Sequence, residues 1–334
     1  MDLTTYLPAV TQRGLLTWQQ AVAAGLDPRE IADLVAAGHW IRIRKGVYAD
    51  RASWDGLDPF TEQPVLRIHA AALVLRVPHV FSHDSAAILL GMGCPDARTA
   101  LVHVTRPDVL GGRIRAGIKH HGAAYDAAEV VVVDGLRLLN PARTALDIAR
   151  EHGRDSGMAA CDKALRGGVT RTQLGGVLAR MHHWPGVRAA RAAVDLADAG
   201  AESWTESLAR GLVVDLGIGR PETQFGLSDG GRTVWCDLRV GRHVFEVDGR
   251  VKYADADGRP GADTLWEEKK RQDFITGFKL GVSRLTFPDL HSNRRAAKAR
   301  ILREYLDTTA RFGTDIADLA PYVVRGRGLS AWNM

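Results

Sequence analysis

A short segment near the C-terminal end, WCDLRVGRHVFEVDG (residues 235–249), carries carboxylates among residues that suit a protein core. A Gly-Arg pair between two apolar-rich runs is typical of a two-residue β-hairpin loop, whose first position favours glycine because it takes a positive φ. With Gly241 opening that loop, Asp237 faces Glu246 on the opposite strand, and Asp248 lies two residues further along. Like charges facing each other across strands are destabilising unless a cation lies between them. The segment therefore predicts a site for Mg²⁺ or Mn²⁺; the alternative is two solvated acids on an exposed strand face.

Strand alternation also gives this hairpin an apolar face, because neighbouring side chains point to opposite sides of a strand. If Val240 pairs with His243, one face collects Cys236, Leu238, Val240, Phe245 and Val247. This face is predicted to pack in the core. The assignment depends on register, since a slip of one residue would send every side chain to the other face.

The composition of the 334-residue chain, 46% apolar and 25% charged, is typical of a soluble globular protein with two or three domains. No run of eighteen apolar residues is present, and the start lacks a basic segment followed by an apolar one, so we expect neither a membrane span nor a signal peptide. Three scattered cysteines predict neither a zinc knuckle nor a disulfide framework and fit a cytoplasmic protein. The net charge of +5 slightly favours a polyanionic partner.

Residues 1–55 predict a first domain of two short helices and a basic hairpin. Thr17 is the expected N-cap of the first helix, LLTWQQAVAAGL, and Asp27 caps the second, in which Pro28 takes the first position. The segment HWIRIRKGVYAD then alternates as two strands about a Lys-Gly turn. This order is typical of a winged helix-turn-helix, whose second helix enters a major groove while the hairpin contacts the DNA backbone.

Four cations of this domain are the predicted phosphate contacts: Arg29 at the start of the second helix, and Arg42, Arg44 and Lys45 on the wing. Double-stranded DNA is therefore the expected partner. The alternative is a small helical module that docks proteins or the rest of the chain, because the domain holds as many acids as lysines and arginines.

Residues 56–195 predict a mixed α/β middle domain in which the residues alone indicate no chemistry. FSHDSAAILLGM is expected to form a helix capped by Ser82. A catalytic triad of Ser82, His83 and Asp84 is rejected, because side chains adjacent in sequence point in different directions, whereas a triad must converge.

Further along this domain, the helix NPARTALDIAR places Arg143 and Asp147 one turn apart, which predicts an ordinary surface ion pair. Two histidine doublets lack partner ligands at metal spacing and are interpreted as surface or core residues: His120-His121 and His182-His183.

Residues 196–334 predict a third domain with the order helix, three strands, helix, strand. This order, with Asp237 and Glu246 on consecutive strands, resembles the restriction-endonuclease-like fold with its PD-(D/E)XK signature, and more closely its Vsr-like branch. The motifs that carry the resemblance are Glu206-Ser207 with Arg210, Asp237-Leu238, Glu246-Val247-Asp248-Gly249-Arg250, and Glu268-Lys269 with Arg271 and Asp273. The predicted fold class is α/β in the mixed α+β multidomain sense: a winged helix-turn-helix, a mixed α/β middle domain and a nuclease-fold domain.

The resemblance implies a metal-dependent phosphodiesterase. Asp237 and Glu246 would hold Mg²⁺ or Mn²⁺, which polarises a phosphate and lowers the pKa of a bound water, and Glu206 would reach the ion directly or through water. A lysine that stabilises the developing negative charge usually follows the second acid by two residues, but here that position is Asp248. The missing charge is then expected from one of two other lysines, Lys252 or Lys269. Nucleases of this fold often need two copies to cut two strands, which implies a homodimer.

The first two domains resemble AbiEi-type antitoxins, in which a winged helix precedes a middle domain. The matching motifs are Ser82-His83-Asp84-Ser85-Ala86-Ala87, His103 to Pro107, Asp134-Gly135-Leu136 and Asn140 to Asp147. The resemblance covers residues 5–190. It implies a winged helix that represses its own operon and a nucleotidyltransferase toxin as partner.

Three functional hypotheses follow. The leading one is a cytoplasmic protein whose winged helix targets a Mg²⁺-dependent endonuclease domain to DNA. The second is a non-catalytic transcriptional regulator that keeps the nuclease fold as a DNA- or partner-binding platform. The third is an antitoxin that neutralises a toxin by protein contact. DNA cleavage that depends on Asp237 and Glu246 distinguishes the first hypothesis from the second.

Overall fold

The computed structural model describes residues 13–248 and 262–325, which contain both helices and strands. The mixed α/β, multidomain fold class predicted from the sequence is confirmed. The residues group into two units, Met1–Gly153 with Gly176–Val187, and Arg154–Gly175 with Arg188–Met334. The division into three domains after residues 55 and 195 stays a prediction. None of the helices in the described ranges combines the length and the apolar composition needed to span a bilayer.

The first unit opens with the elements of a winged helix: β1 (Leu15–Thr17), α1 (Trp18–Ala23), α2 (Pro28–Ala36), β2 (Trp40–Arg44) and β3 (Val47–Asp50). The strands form one sheet in the order β1-β3-β2. Both predicted N-caps are confirmed, because Thr17 accepts a hydrogen bond from the Gln20 N–H and Asp27 accepts one from the Arg29 N–H. Such caps satisfy backbone donors that lack a partner inside the helix. The two helices and the sheet enclose a small apolar core: Leu16, Ala21, Leu26, Ile31, Trp40 and Tyr48.

The same unit continues into a second sheet with its helices: α3 (Arg51–Asp55), α4 (Glu62–Val74), β4 (Val80–Phe81), α5 (His83–Leu89), β5 (Val102–Arg106), β6 (Gly112–Arg115), β7 (Ile118–Gly122), β8 (Val130–Val133), β9 (Leu136–Leu139) and α6 (Pro141–His152). The strand order is β6-β7-β5-β4-β9-β8, and β5 runs parallel to β7. Asn140 caps α6 through the Arg143 N–H, whereas Ser82 precedes α5 without a side-chain cap bond.

The ion pair predicted on the surface of α6 is present, but the predicted surface location is wrong. Arg143 and Asp147 are only 2% and 0% exposed, and Arg143 Nε donates to Asp147 Oδ2 at 3.1 Å. The i, i+4 spacing was interpreted correctly as a pair, but α6 turns this side toward α5. Spacing along one helix does not show which of its sides a neighbour covers.

The remaining elements are α7 (Arg154–Arg166), α8 (Arg171–Arg180), α9 (Val187–Leu196), α10 (Trp204–Val214), β10 (Glu222–Ser228), β11 (Thr233–Val240), β12 (His243–Val247), α11 (Ala262–Gly277), β13 (Gly281–Leu285), α12 (Phe287–Leu290), α13 (Arg294–Phe312) and β14 (Val323–Val324). The predicted order of helix, three strands, helix and strand is present as α10, β10 to β12, α11 and β13. The sheet has the order β13-β12-β11-β10-β14, and only β12 and β13 are parallel neighbours among its described pairs.

The β11–β12 hairpin turns at Gly241, whose φ of 55° explains the glycine. The predicted register is confirmed for its first three pairs, from Val240 with His243 to Leu238 with Phe245, and the ladder stops there. The predicted single apolar face is partly wrong, because Cys236 packs on the opposite side of the sheet from Leu238. Strand alternation breaks at this point: Gln224, which lies opposite residue 237 on β10, has a φ of 51°.

Candidate functional site

Glu206 lies in the first turn of α10, where the Ser203 side chain caps the helix by accepting from the Glu206 N–H at 3.1 Å. Its Oε2 accepts hydrogen bonds from the Glu202 N–H at 2.8 Å and from the Gln224 side chain at 3.2 Å. Burial raises the pKa of Glu206, and the negative charge of Asp237 acts in the same direction. Glu206 and Asp237 therefore lie within electrostatic reach of each other.

The two hairpin acids are held by protein donors. Asp237 Oδ2 accepts from the Val247 N–H at 2.8 Å, and Glu246 Oε2 accepts from Arg271 Nη2 at 2.6 Å. The other oxygen, Glu246 Oε1, is buried and has no hydrogen-bond partner within the described residues. Burial raises the pKa of Glu246 to about 7, with Asp237 adding to the rise and Arg271 opposing it.

These three acids, here called the acid group (Glu206, Asp237 and Glu246), do not gather as a metal cage. Across residues 13–248 and 262–325, they do not bring three carboxylate oxygens within 4.8 Å of one another. The charge of Glu246 is balanced by the guanidinium of Arg271, where the metal hypothesis expects a cation. The donor set as it stands therefore does not fit Mg²⁺, although the buried Oε1 of Glu246 is a carboxylate oxygen that a cation would satisfy.

The other two residues of the helical motif, Ser207 and Arg210, have a structural role. Ser207 Oγ donates to Asp162 Oδ2 at 2.7 Å, and Arg210 Nη2 lies 2.7 and 2.6 Å from the two oxygens of the same carboxylate. All three side chains are 3% exposed or less. Ser207 and Arg210 thus join α10 to Asp162 on α7 and do not line the acid group.

Of the remaining residues predicted to act in catalysis, Asp248 and Lys269 are exposed and Lys252 lies outside the described residues. Asp248 is exposed, and its N–H donates to the Leu285 carbonyl at 2.8 Å. Lys269, on α11, is exposed and lies with its ammonium 5.8 Å from the centre of the Trp266 ring. Lys252 lies outside the described residues. Their catalytic roles stay predictions.

The predicted DNA contacts on the winged helix divide into two kinds. Arg29 at the start of α2, and Arg42 and Lys45 on the β2–β3 wing, are exposed. Arg44 is only partly exposed, and its Nη2 donates to the Ala116 carbonyl, in the turn before β7, at 3.0 Å. Arg44 therefore ties the wing to the second sheet of the same unit.

Beside these cations lies an open groove between α1, α2 and the wing, lined by Trp18, Pro28, Ile31, Ala32, Val35, Ala36, Arg42 and Tyr48. Its floor is mostly apolar, and Trp18 remains 42% exposed. This groove is thus a small, mostly apolar strip with the cation of Arg42 at its edge.

A second constellation, which sequence reasoning did not find, lies in the middle region. His83 begins α5, His103 lies on β5 and His121 lies on β7; these three residues are called the histidine cluster. One ring nitrogen of each lies within 4.8 Å of those of the other two. His103 Nδ1 and His121 Nε2 are 3.1 Å apart, and the rings of His83 and His121 stack with centroids 3.6 Å apart. His83 adopts a φ of 48°, a left-handed conformation that is uncommon for a side chain of this size.

Carboxylates lie directly behind these rings. Asp84 Oδ2 is 3.6 Å from His103 Nε2, and Asp84 Oδ1 is 2.6 Å from His152 Nε2. Asp147 Oδ1 is 3.9 Å from His83 Nε2. Because Asp84 contacts His152 and His103, while His83 Nδ1 pairs with the hydroxyl of the preceding serine, these neighbours in sequence do not form one catalytic relay.

Burial lowers the pKa of each histidine in the cluster, that of His121 to about 3. The imidazoles are therefore neutral at physiological pH. The sequence-based interpretation of His121 as a surface or core residue agrees with its partial burial, but it did not foresee that His83 and His103, from separate elements, lie beside it. Strand alternation was the available signal. Thr105 pairs with His121 across β5 and β7, and His103 lies two residues before Thr105 on the same face of β5, so His103 and His121 share one face of the sheet.

Comparisons with known proteins agree with the N-terminal features. The model of the AbiEi antitoxin family of transcriptional regulators matches residues 8–49. The chain is 30% identical over 209 residues to the uncharacterized protein Rv2248 of Mycobacterium tuberculosis strain H37Rv, and equally to the uncharacterized protein MT2308 of strain CDC 1551. The aligned part is 60% of this chain and 69% of each relative. The predicted AbiEi resemblance is thus confirmed over the winged helix, whereas the nuclease resemblance of residues 196–334 stays a prediction.

Proposed function

Because the chain belongs to the family of the uncharacterized Mycobacterium tuberculosis proteins Rv2248 and MT2308, and because its first residues match AbiEi antitoxins, we propose that it is a DNA-binding transcriptional regulator. One observation carries this proposal: the matched residues, 8–49, coincide with the winged-helix elements from β1 into β3. In this arrangement α2 lies in a major groove and the β2–β3 wing lies against the phosphate backbone.

The exposed cations define how this regulator holds DNA. Arg29, Arg42 and Lys45 are placed to contact phosphates, and such contacts release counterions and supply most of the non-specific affinity. Arg44 acts through the wing, because its guanidinium is engaged by the Ala116 carbonyl. The chain's preference for particular sequences would then come from the exposed side of α2, where Ala32 and Ala36 offer methyl groups.

The test is binding of the full-length protein to a fluorescent duplex taken from upstream of its own gene, measured by anisotropy over a series of salt concentrations. Replacing Arg42 and Lys45 together by alanine is expected to weaken binding and to lower the slope of log K against log salt by about 0.9 for each phosphate that the variant no longer neutralises. Arg51→Ala is the matched control, because Arg51 is an exposed cation paired with Asp55 in α3. A slope equal to that of the wild type would show that the wing does not contact DNA.

A second candidate function is metal-dependent phosphodiester hydrolysis by the C-terminal domain with Mg²⁺ or Mn²⁺. It is favoured by the buried, unpartnered Oε1 of Glu246 within the described ranges and by the electrostatic contact of this residue with Asp237. Glu206, Asp237 and Glu246 would supply the metal ligands, with the charge of Lys252 or Lys269 near the phosphate. The distribution of the carboxylates and the engagement of Glu246 by Arg271 favour the regulator instead.

One assay separates the two functions. Supercoiled plasmid and single-stranded DNA are incubated with the full-length protein in Mg²⁺, in Mn²⁺ and in chelator, and a gel shift is run in parallel. A regulator retains DNA and cuts none of it. Cleavage that needs a divalent ion and disappears in Glu246→Gln and Asp237→Asn, while Glu267→Gln on the exposed side of α11 still cuts, would overturn the regulator as the complete description.

The AbiEi match also supports a protein toxin as a further partner, as is the case for antitoxins. Co-expression with the product of a neighbouring gene, followed by co-purification, tests this partner directly. Light scattering of the purified chain tests the predicted homodimer. The cytoplasmic location remains a prediction.

A further inference from the structure

The histidine cluster is a site that the DNA-binding function does not use. His83 and His103 are 3% and 2% exposed, and His121 is half-buried, so the three rings are removed from solvent except on the side of His121. They come from α5, β5 and β7, within one unit of the chain. We propose that His83, His103 and His121 form a binding site for one divalent transition-metal ion, with Zn²⁺ as the ion that the ligands suit best.

The spacing of the ring nitrogens supports this site. Zn²⁺–N bonds are about 2.0–2.1 Å long, so two imidazole nitrogens on a tetrahedral ion are about 3.4 Å apart. His103 Nδ1 and His121 Nε2 are 3.1 Å apart, which is close to that separation. The same spacing also suits a single N–H···N hydrogen bond between two neutral rings, and this bond is the alternative explanation of the pair.

The third ring needs one adjustment. His83 and His121 stack with an interplanar angle of 11°, and parallel rings cannot both aim a lone pair at the same point between them. Rotation of the His83 or His121 ring about its side-chain bonds turns one nitrogen toward the His103–His121 pair. The three nitrogens start within 4.8 Å of one another, so the rotation has a short distance to close.

Carboxylates face the outer nitrogens of two of these rings, at distances slightly longer than a hydrogen bond. Ligating histidines generally donate their second ring N–H to a carboxylate or carbonyl, which fixes the tautomer and leaves the other nitrogen free for the metal. His103 Nε2 faces Asp84 Oδ2 at 3.6 Å, which leaves its Nδ1 on the cluster side. His83 Nε2 faces Asp147 at 3.9 Å and its Nδ1 lies 3.0 Å from Ser82 Oγ, so metal binding requires His83 to give up one of these two contacts. Asp84 is itself held by His152 at 2.6 Å.

A separate observation points to a bound group at this place. Thr105, the register partner of His121, has a fully buried hydroxyl with no hydrogen-bond partner in the part of the chain that the structure describes. Buried hydroxyls are nearly always paired, so each exception needs an explanation such as an ion or a water molecule.

The experiment uses the full-length protein after removal of metal with a chelator. Cobalt(II) is titrated in as a spectroscopic probe of the zinc site, and bound metal is counted by mass spectrometry after dialysis against Zn²⁺. We expect one Co²⁺ per chain, a visible ligand-field spectrum with nitrogen ligands, and displacement of Co²⁺ by one equivalent of Zn²⁺.

Two variants and one control locate the ion. His121→Gln should abolish the Co²⁺ spectrum, and Asp84→Asn, which keeps all three ligands, should weaken binding about 10- to 100-fold. His182→Gln is the matched control, because His182 is an exposed histidine that is not part of the cluster. Circular dichroism checks that each variant is folded; should His121→Gln unfold, the wild-type stoichiometry and Asp84→Asn decide. Folded wild-type protein without stoichiometric Co²⁺, or a folded His121→Gln that binds like the wild type, would overturn the proposal and leave a hydrogen-bonded histidine network.

Discussion

The contact between Arg210 and Asp162 makes a sharp prediction about the helical part of the nuclease-like motif. Substitution of Arg210 by methionine removes the guanidinium that lies 2.6–2.7 Å from both Asp162 oxygens. Asp162 is 1% exposed and would keep only the hydrogen bonds from Ser207 Oγ at 2.7 Å and from the Asp198 N–H at 2.6 Å. The variant therefore leaves a buried carboxylate without its counter-ion.

The size of the effect follows from this burial. Removing one partner of a buried ion pair destabilises a protein by about 3–5 kcal/mol, whereas replacing both partners by apolar residues of similar volume is close to neutral. We thus expect Arg210→Met to lose about 3–5 kcal/mol and the double variant Asp162→Leu, Arg210→Met to recover most of it. Burial raises the pKa of Asp162, and loss of Arg210 raises it further. A protonated Asp162 carries no charge, so the loss should be smallest at low pH and should grow as the pH rises.

Urea unfolding followed by circular dichroism measures this stability, and hydrogen exchange of α7 and α10 amides shows where it is lost. Arg311→Met is the control, because Arg311 forms an exposed i, i+4 pair with Asp307 and should change stability little. DNA binding should be retained wherever the variant is folded. Additive losses in the double variant, or a single-variant loss below about 1 kcal/mol, would refute the structural assignment of Arg210.

Three further predictions concern other parts of the chain. The folded-state pKa of Glu246, raised to about 7, contributes stability that is fully present below the unfolded pKa and is lost as the pH rises through 7. In the presence of chelator, we expect the free energy of unfolding of the wild type to fall by about 3 kcal/mol between pH 4.5 and 8 because of this group. Urea unfolding of Glu246→Gln should not show this part of the pH dependence. Gly281→Ala should destabilise the protein by about 1–3 kcal/mol, because its new methyl carbon would lie 2.0 Å from Thr308 Oγ1. In the control Gly277→Ala the methyl carbon meets no atom within 4 Å, so this variant should be neutral or stabilising. Equal urea midpoints for the two variants would contradict the packing argument. Arg44→Ala should weaken DNA binding through a looser wing while leaving the salt slope unchanged, and a slope lower by about 0.9 would instead make Arg44 a phosphate contact.

Features that depend on a few neighbouring residues were predictable from the chain itself. The caps at Thr17 and Asp27, and the turn at Gly241 with its first three strand pairs, are present as expected. These features are local, because a cap or a two-residue turn is satisfied by donors and acceptors within three or four positions. The AbiEi resemblance also rests on local motifs, and it is confirmed where the winged helix lies.

Which side of an element is covered was decided by the tertiary structure. The Arg143–Asp147 spacing predicted the pair, but it is buried by other parts of the unit, with Trp184 over Arg143 and His83 of α5 beside Asp147. Likewise, counted back from the turn, the hairpin alternation held as far as Leu238, whereas Cys236 packs in the cluster on the other side of the sheet. Neither effect is encoded in the residues concerned.

The convergence of side chains that are distant in sequence depends most strongly on the tertiary structure. The sequence alone determined that this chain would fold as several α/β parts with a winged helix at its start, since periodicity, caps and turns act over short distances. The sequence could not show that His83, His103 and His121 meet, because their contact depends on the pairing of β5 with β7 and on the packing of α5 against that sheet. The same reason applies to the acids near the C-terminal end, where the fold brought Arg271 to Glu246 and left the carboxylates of the described residues too dispersed to cage an ion.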